Sequence, residues 1–481
     1  MFLEHTLMST TLKCQEKDKD FSSTPISNRR KNSKIAFLIP LIIILCCSLN
    51  AYRRNSIWSD EETLWSNCAL HSSNKARPHN NLGAAYYEKG KLDEAISVYK
   101  KTLTIDPNLA EAHNNLGVAT AEKGGLDEAI AGYKRALGLR PTYARAYHNL
   151  GEAYFKKGML DEAILEYKKA LTINPDLAET YNNLGAAYVG KGMLNKAIFE
   201  HKQALSLKPG FARAYTNLGV AYFKKGMLDE AISEYKKTIS LEPDLALPYK
   251  NLGNAYVKKG RLDEAILEFK KGIAINPRYT KALNNLGEVY YEKGMLDEAI
   301  VYYKQAIAIY PRHSDAHINL GVAYAQKGRF NEAIKEYRIV LAVNPNHASA
   351  HYNLGVTYEE KGRLEEATDE YKKALSLNPN FAEAHNSLGL AYCKKGILKE
   401  AITECKKALS IKPNFAEAYI NLGFAYHKKG ELDKAILEYK KAISIRPNYV
   451  QAHKNLLIAY YDKKNYELAA SHYYKAMEPG I

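Results

Sequence analysis

An all-α solenoid is the fold this sequence predicts. Three observations carry the prediction: a strict 34-residue period, two helical apolar patterns in each period, and Gly and Pro at fixed places between them. One clear copy reads Asn80-Asn81-Leu82-Gly83-Ala84-Ala85-Tyr86-Tyr87-Glu88-Lys89-Gly90-Lys91-Leu92-Asp93-Glu94-Ala95-Ile96. Its Leu-Gly glycine returns as Gly117, Gly151, Gly185, Gly219, Gly253, Gly287, Gly321, Gly355, Gly389 and Gly423, and the last copy has Leu457 there. No insertion breaks the register. Such a chain grows by stacking, so its length does not imply several globular domains.

The chain opens with residues 1–34, polar and without helical or strand period, a disordered lead that ends on Arg29, Arg30, Lys31 and Lys34. Residues Ile35–Tyr52 then carry no charge. As a helix they would span about 27 Å, just short of a ~30 Å hydrocarbon core, so a single short transmembrane anchor is expected. Pro40 is tolerable there. The four basic residues before it outnumber Arg53 and Arg54 after it. That bias puts the N-terminus in the cytoplasm and the repeats on the non-cytoplasmic side. Leu45-Cys46-Cys47-Ser48-Leu49-Asn50-Ala51 makes a poor signal-cleavage or lipoprotein site.

Residues 53–75 form a linker. Counting back by the period, Trp65 falls where later units have Tyr99, Tyr133 and Tyr167, so Asp60–His71 reads as a half-repeat capping helix. The units then run 76–109, 110–143, 144–177, 178–211, 212–245, 246–279, 280–313, 314–347, 348–381, 382–415, 416–449 and 450–481. In each, Leu82, Gly83 and Tyr86 (and their equivalents) give the first helix its apolar stripe. Leu92, Ala95, Ile96, Tyr99 and Leu103 give the second. Gly90 and its equivalents end the first helix, because a residue without Cβ turns left-handed at little strain. The Asp93-Glu94 pair opens the second by placing negative charge at a helix N-terminus. Pro107, Pro141, Pro175, Pro209 and their successors stop it. Gly83 and Ala95 are small because the two helices cross closely there. The final unit departs from this pattern, with Leu457 and Lys464 in place of both glycines.

A net charge of +15 invites a nucleic-acid reading. Its distribution opposes one: the array carries about one positive charge per unit, mostly in pairs such as Lys100-Lys101, Lys168-Lys169 and Lys372-Lys373 on the outer face of a helix. No nucleic acid is expected. Six cysteines make no CxxC and no metal-ligand spacing, and Cys405, standing where other units have tyrosine, reads as core filler.

These residues resemble the tetratricopeptide repeat (TPR): 34 residues with Leu-Gly, Tyr, the turn glycine, Ala95, Tyr99 and Pro107 at matching places, over about 76–481. The resemblance implies antiparallel helix pairs winding into a right-handed superhelix, with a concave groove that takes extended peptides or a partner's helix. The wording of Ala382-Glu383-Ala384-His385-Asn386-Ser387-Leu388-Gly389 is similar to long arrays of O-GlcNAc transferase type. The junction Tyr52-Arg53-Arg54-Asn55-Ser56-Ile57-Trp58 resembles that of transmembrane O-mannosyltransferases with C-terminal repeats. With one membrane helix and no catalytic loop, this chain would supply an accessory, substrate-presenting array to a membrane glycosyltransferase rather than the activity.

The binding candidate is an asparagine ladder: Asn81, Asn115, Asn149, Asn183, Asn217, Asn251, Asn285, Asn319, Asn353, Asn421 and Asn455, with Ser387 the exception. A carboxamide both donates and accepts, so it can pair with any peptide backbone. Helices about 10 Å apart and an extended chain rising about 3.3 Å per residue would let one rung serve every third peptide residue. Alternatively the asparagines bond neighbouring helices. The resemblance favours the groove. Variable neighbours (Arg77, Arg145, Arg213, Lys250, Lys281, Glu111, Glu179, Asp315, Glu383, Glu417, Phe155, Phe223, Tyr291 and Tyr461) would set specificity.

Some relatives clamp a terminal carboxylate. Lys250, Asn254 and Asn285 match two parts of that clamp, and Asp315 with Asn319 fail the third. His313/His317 and His347/His351 are i,i+4 pairs, but without a HExxH glutamate they read as one helix position reused. With no GxxxxGK[ST], GxSxG or dinucleotide fingerprint, no catalytic residue, metal or cofactor is expected. The sequence reads as a membrane-anchored scaffold for protein or peptide segments.

Overall fold

In the computed structural model the described residues are 41–49, 52 and 60–477. Their packing divides the chain into two compact units, Met1–Ala187 and Tyr188–Ile481. Both are built from helix hairpins, and from residue 60 onward no strand occurs among the described residues.

Of the membrane anchor expected over residues 35–52, the greater part of the flanks lies outside the described residues. Residues 41–49 form a helix whose Leu41, Ile42, Ile43, Ile44 and Leu45 are exposed. No helix among the described residues is long and apolar enough to cross a membrane.

The repeats begin with helix Glu61–His71, where the Asp60 carboxylate caps the Thr63 N–H at 3.1 Å. Each following hairpin is alike. In the first, Ala76–Glu88 is closed by Gly90 at φ +74°, and Lys91 N–H reaches back to the Tyr86 carbonyl at 2.9 Å. Such a 6→1 bond satisfies a carbonyl that the helix end would otherwise leave open. Leu92–Ile105 then runs back and ends at Asp106-Pro107, where the Asp106 carboxylate accepts from Asn108 N–H at 3.0 Å. Asn174, Asn276, Asn344 and Asn378 make the same turn.

Numbering each unit from its first residue (Ala76, Ala110 and so on), the glycine of Leu-Gly is place 8 and the second-helix tyrosine is place 24. The sequence explained that glycine by close helix crossing. The structure names what fills the gap: the flat face of the tyrosine ring. A Cβ built on Gly83, Gly219, Gly287 or Gly423 would stand 2.5–2.6 Å from the ring of Tyr99, Tyr235, Tyr303 or Tyr439. Those rings are almost wholly buried. Phe269 and Cys405 fill the same slot over Gly253 and Gly389. In the last unit Leu457 closes the slot, and Tyr473 is exposed. Alanine 0% exposed at place 20 of every full unit lets the paired helices touch.

The paired lysines are exposed, as their spacing implied, yet several also make contacts. Within each compact unit the first of a pair lies over the place-11 tyrosine of the next repeat: Lys134 over Tyr154, Lys270 over Tyr290, Lys372 over Tyr392, at 5.7–5.8 Å. The second pairs with a glutamate one turn earlier, as Lys237 with Glu234 at 2.9 Å. In several units the lysine before the turn glycine bridges back to the preceding repeat: Lys157 to Asp127, Lys259 to Asp229 and Lys327 to Asp297, each 2.5 Å. Their carboxylates are some four-fifths exposed, so each contributes little alone.

Two local misfits give measurable predictions. Lys464 stands at the turn-glycine place yet keeps φ +60°, a conformation that costs an L-residue about 1–2 kcal/mol. Lys464→Gly should therefore slow amide exchange in helix Tyr466–Met477 by a factor corresponding to about 1 kcal/mol. Unchanged exchange would contradict the strain. His201 takes the tyrosine's place 24 in its unit. It is fully buried, neither ring nitrogen has a hydrogen-bond partner, and burial holds its pKa down to about 4. The unfolded ring titrates near 6.5. Stability is therefore complete above about pH 6.5 and falls as the pH drops toward 4, by at most roughly 3 kcal/mol. His201→Phe should flatten the melting-temperature profile across that range.

Candidate functional site

The first helices bring the ladder residues to one recurring place, and the structure sorts them into two kinds. Asn115, Asn149, Asn319 and Asn421 donate to the side chain at place 5 of the preceding repeat (Asn80, Asn114, Asn284, Asn386) at 3.3, 2.9, 3.1 and 2.9 Å. Asn285 donates to Asn254 at 2.8 Å, Asn182 donates to Asn183 at 3.5 Å, and Asn455 accepts from Gln451 at 2.8 Å. Asn217 also has a partner. Asn115, Asn149, Asn285, Asn319 and Asn421 thus join neighbouring repeats, the second of the two roles the sequence left open, whereas the bonds of Asn183 and Asn455 lie within their own helices. Asn81, Asn251 and Asn353 differ. Among the described residues none of the three makes a side-chain hydrogen bond, although Asn251 is 8% exposed and the other two are half-buried. Their carboxamides keep donor and acceptor capacity for something outside the chain.

The neighbours expected to set specificity separate likewise. Glu111, Glu383 and Glu417 are tied to the exit of their own unit's second helix, through Arg140, Lys412 and Arg446 at 2.6, 2.9 and 3.0 Å. Lys250 is the opposite case. Burial, with Lys281 close by, holds its pKa below the usual lysine range. Asn254 and Asn285 beside it bond each other.

The histidine pairs are structural devices. His313 and His347 cap their helices, accepting from Ala316 and Ala350 N–H at 3.3 Å. His317, His351 and His385 sit between a proline carbonyl (3.1, 3.0, 3.0 Å) and a glutamate at place 23 (2.6, 2.5, 2.5 Å). Glu336 holds the His317 pKa above its ordinary value. Among the described residues no group of three or more His, Cys, Asp or Glu is placed to hold a metal. Burial pushes the Cys393 thiol up to about 11 and Cys405 further, which leaves both poor nucleophiles.

Sequence reasoning missed two recesses on the first-helix face. One, of about 170 Å³, lies among Tyr87, Ala121, Glu122, Tyr133, Asn149 and Glu152. The other, of about 250 Å³, lies among Tyr291, Ala325, Tyr337, Asn353, Thr357 and Glu360. They use the same places of three successive repeats. Each opens where place 12 is alanine, whereas other units carry side chains such as Phe155, Phe223 or Tyr461 there. The signal was in the sequence, as Ala121 and Ala325.

Stacked helix hairpins that carry amides and a recess on the first-helix side of each compact unit define the class of repeat scaffolds. A family model described as TPR repeat matches residues 83–124, 119–158, 151–192, 187–226, 221–260 and 253–294. A second, described as the cilia and flagella-associated protein 70 C-terminal domain, matches residues 278–480. Among solved structures, MamA is 38% identical over 34% of this chain and 95% of its own, with a TM-score of 0.32. YrrB, described as a TPR protein with an unusual peptide-binding site, is 27% identical over 38% and 95%, with a TM-score of 0.33. The APC/C hetero-tetramer Cut9–Hcn1 is 16% identical over 88% and 94%, with a TM-score of 0.45. Comparison with curated proteins gives no match. The chain belongs to the tetratricopeptide repeat family.

Proposed function

We propose that this protein is a scaffold that captures extended segments of other proteins on the face formed by its first helices. The observation that carries the reading is the pair of open rungs, Asn251 and Asn353, half-buried to buried yet without a hydrogen-bond partner among the described residues. Their amide atoms are not among the buried unpaired ones, so they stay open to solvent and to a ligand, and a hydrogen bond made there would contribute about 0.5–1.5 kcal/mol. An extended backbone presents alternating N–H and C=O groups that a carboxamide can meet whatever the side chains are. Membership of the repeat family supports the same reading. The chain would be tethered to a membrane through Ile35–Tyr52, with the N-terminus cytoplasmic, on the strength of that uncharged stretch and the basic residues before it.

The rungs can be tested by kind. A peptide selected by display on the full chain should lose roughly tenfold in affinity with Asn251→Ala plus Asn353→Ala, with melting unchanged. Asn149→Ala plus Asn319→Ala should instead lower the melting temperature, by an amount equivalent to about 1 kcal/mol per substitution. Unchanged peptide affinity in the first variant would refute capture through the open rungs. For the tether, deletion of residues 35–49 should move the protein from the membrane to the soluble fraction. An unaltered partition would remove the anchor from the proposal.

A further inference from the structure

The two recesses share a construction but not a charge arrangement. In the first, the ammonium of Lys156 stands 2.8 Å from the Glu152 carboxylate, and burial, with Glu122 near, raises the Tyr87 pKa to about 12. The recess therefore already holds a cation against its carboxylate. In the second, the place of Lys156 is taken by Glu360, and the place of Glu152 by Val356. The neighbouring Glu359 is neutralised by Lys394 at 2.7 Å and accepts from the Tyr371 hydroxyl at 2.7 Å. Among the described residues Glu360 has no ion pair or hydrogen bond. Burial, and next Glu359, raise its pKa, which is the direction a carboxylate takes when it lacks a cation.

The walls fit one kind of side chain. Tyr291, Val322 and Val356 offer apolar surface, the Thr357 hydroxyl is turned to the Asn353 carbonyl at 2.9 Å, and Glu360 stands at the exposed side. About 250 Å³ exceeds the share of several water molecules, each about 30 Å³. Lysine and arginine bury an aliphatic stem and present a charged head, and an aromatic face adds attraction for the cation.

We propose that the recess among Tyr291, Ala325, Tyr337, Asn353, Val356 and Glu360 is a subsite for one basic side chain, arginine or lysine, of a segment bound on the first-helix face. The proposal rests on the capture function above. It goes further in naming the chemistry of the captured segment. Asn353, an open rung, lines the same recess, so the backbone amide contact and the side-chain pocket would be adjacent.

The test uses the full chain and peptides selected by display, each synthesised with its basic residues replaced one at a time by citrulline or norleucine. One replacement should weaken binding by roughly three- to tenfold on the native chain and by less than about twofold on Glu360→Gln. Ala325→Tyr, which fills the recess, should erase the same preference, while Ala121→Tyr leaves it intact. Circular dichroism checks the fold of each variant, and Glu360→Gln keeps the test valid if Ala325→Tyr does not fold. Peptides that bind but tolerate every neutral replacement would overturn the subsite and leave capture standing. Failure to select any peptide would overturn both.

Discussion

Everything in this molecule depends on an aromatic ring lying flat on a glycine. The tyrosine at place 24 of the second helix covers the bare Cα at place 8 of the first, and the space a methyl group would need is already ring. That contact fixes how far apart the two helices lie and how they are rotated. It is repeated, with Phe269 and Cys405 as variants, in both compact units. Dispersion over a whole buried ring face is large in sum even though each atom pair contributes little. Where Leu457 removes the slot, the tyrosine leaves it, and Tyr473 is half exposed. The glycine is kept where place 24 is Phe269 or Cys405, and the one unit that loses it, at Leu457, no longer buries its tyrosine.

Once the hairpin is set, polar groups decide how repeats join. Lysine over the next repeat's tyrosine, lysine to the previous repeat's aspartate, and asparagine to the preceding unit's carboxamide all cross the seam between neighbours. Each is weak where exposed, but they act in parallel and in register. They also account for much of the positive charge that composition alone left unexplained. The function proposed here lives in the exceptions to this pattern, where the seam leaves an amide or a carboxylate without its partner.

Much of the fold was legible because the period repeats the same physics in every unit. Gly90 and Pro107 announced turn and stop without ambiguity, and the helix pairs follow from the spacing of Leu82, Tyr86, Ala95 and Tyr99. The reason for Gly83 was less legible: close crossing was foreseen, but a ring from sixteen residues further on cannot be seen in a local pattern. The ladder was visible as a column of asparagines. Which rungs are engaged was not, since Asn319 and Asn353 look alike in sequence and differ in what places 5 and 9 of the previous repeat offer, Asn284 and Glu288 against Ile318 and Val322. Of the acids expected to read a ligand, Glu111 and Glu383 turned out to serve their own unit. The recesses went unread because an alanine in a helix normally signals packing, and only the stack shows that nothing fills the space it leaves.

The most direct test of the glycine–ring contact is a double-mutant cycle at Gly287 and Tyr303, followed by denaturant unfolding. Gly287→Ala alone should cost about 1–3 kcal/mol, because its Cβ would meet the ring at 2.5 Å. Tyr303→Ala alone should cost about 3–5 kcal/mol. With the ring gone the alanine fits, so the pair together should cost at least about 1 kcal/mol less than the sum. Additivity within about 0.5 kcal/mol would mean that the glycine serves some other purpose and that the ring is not what sets the hairpin.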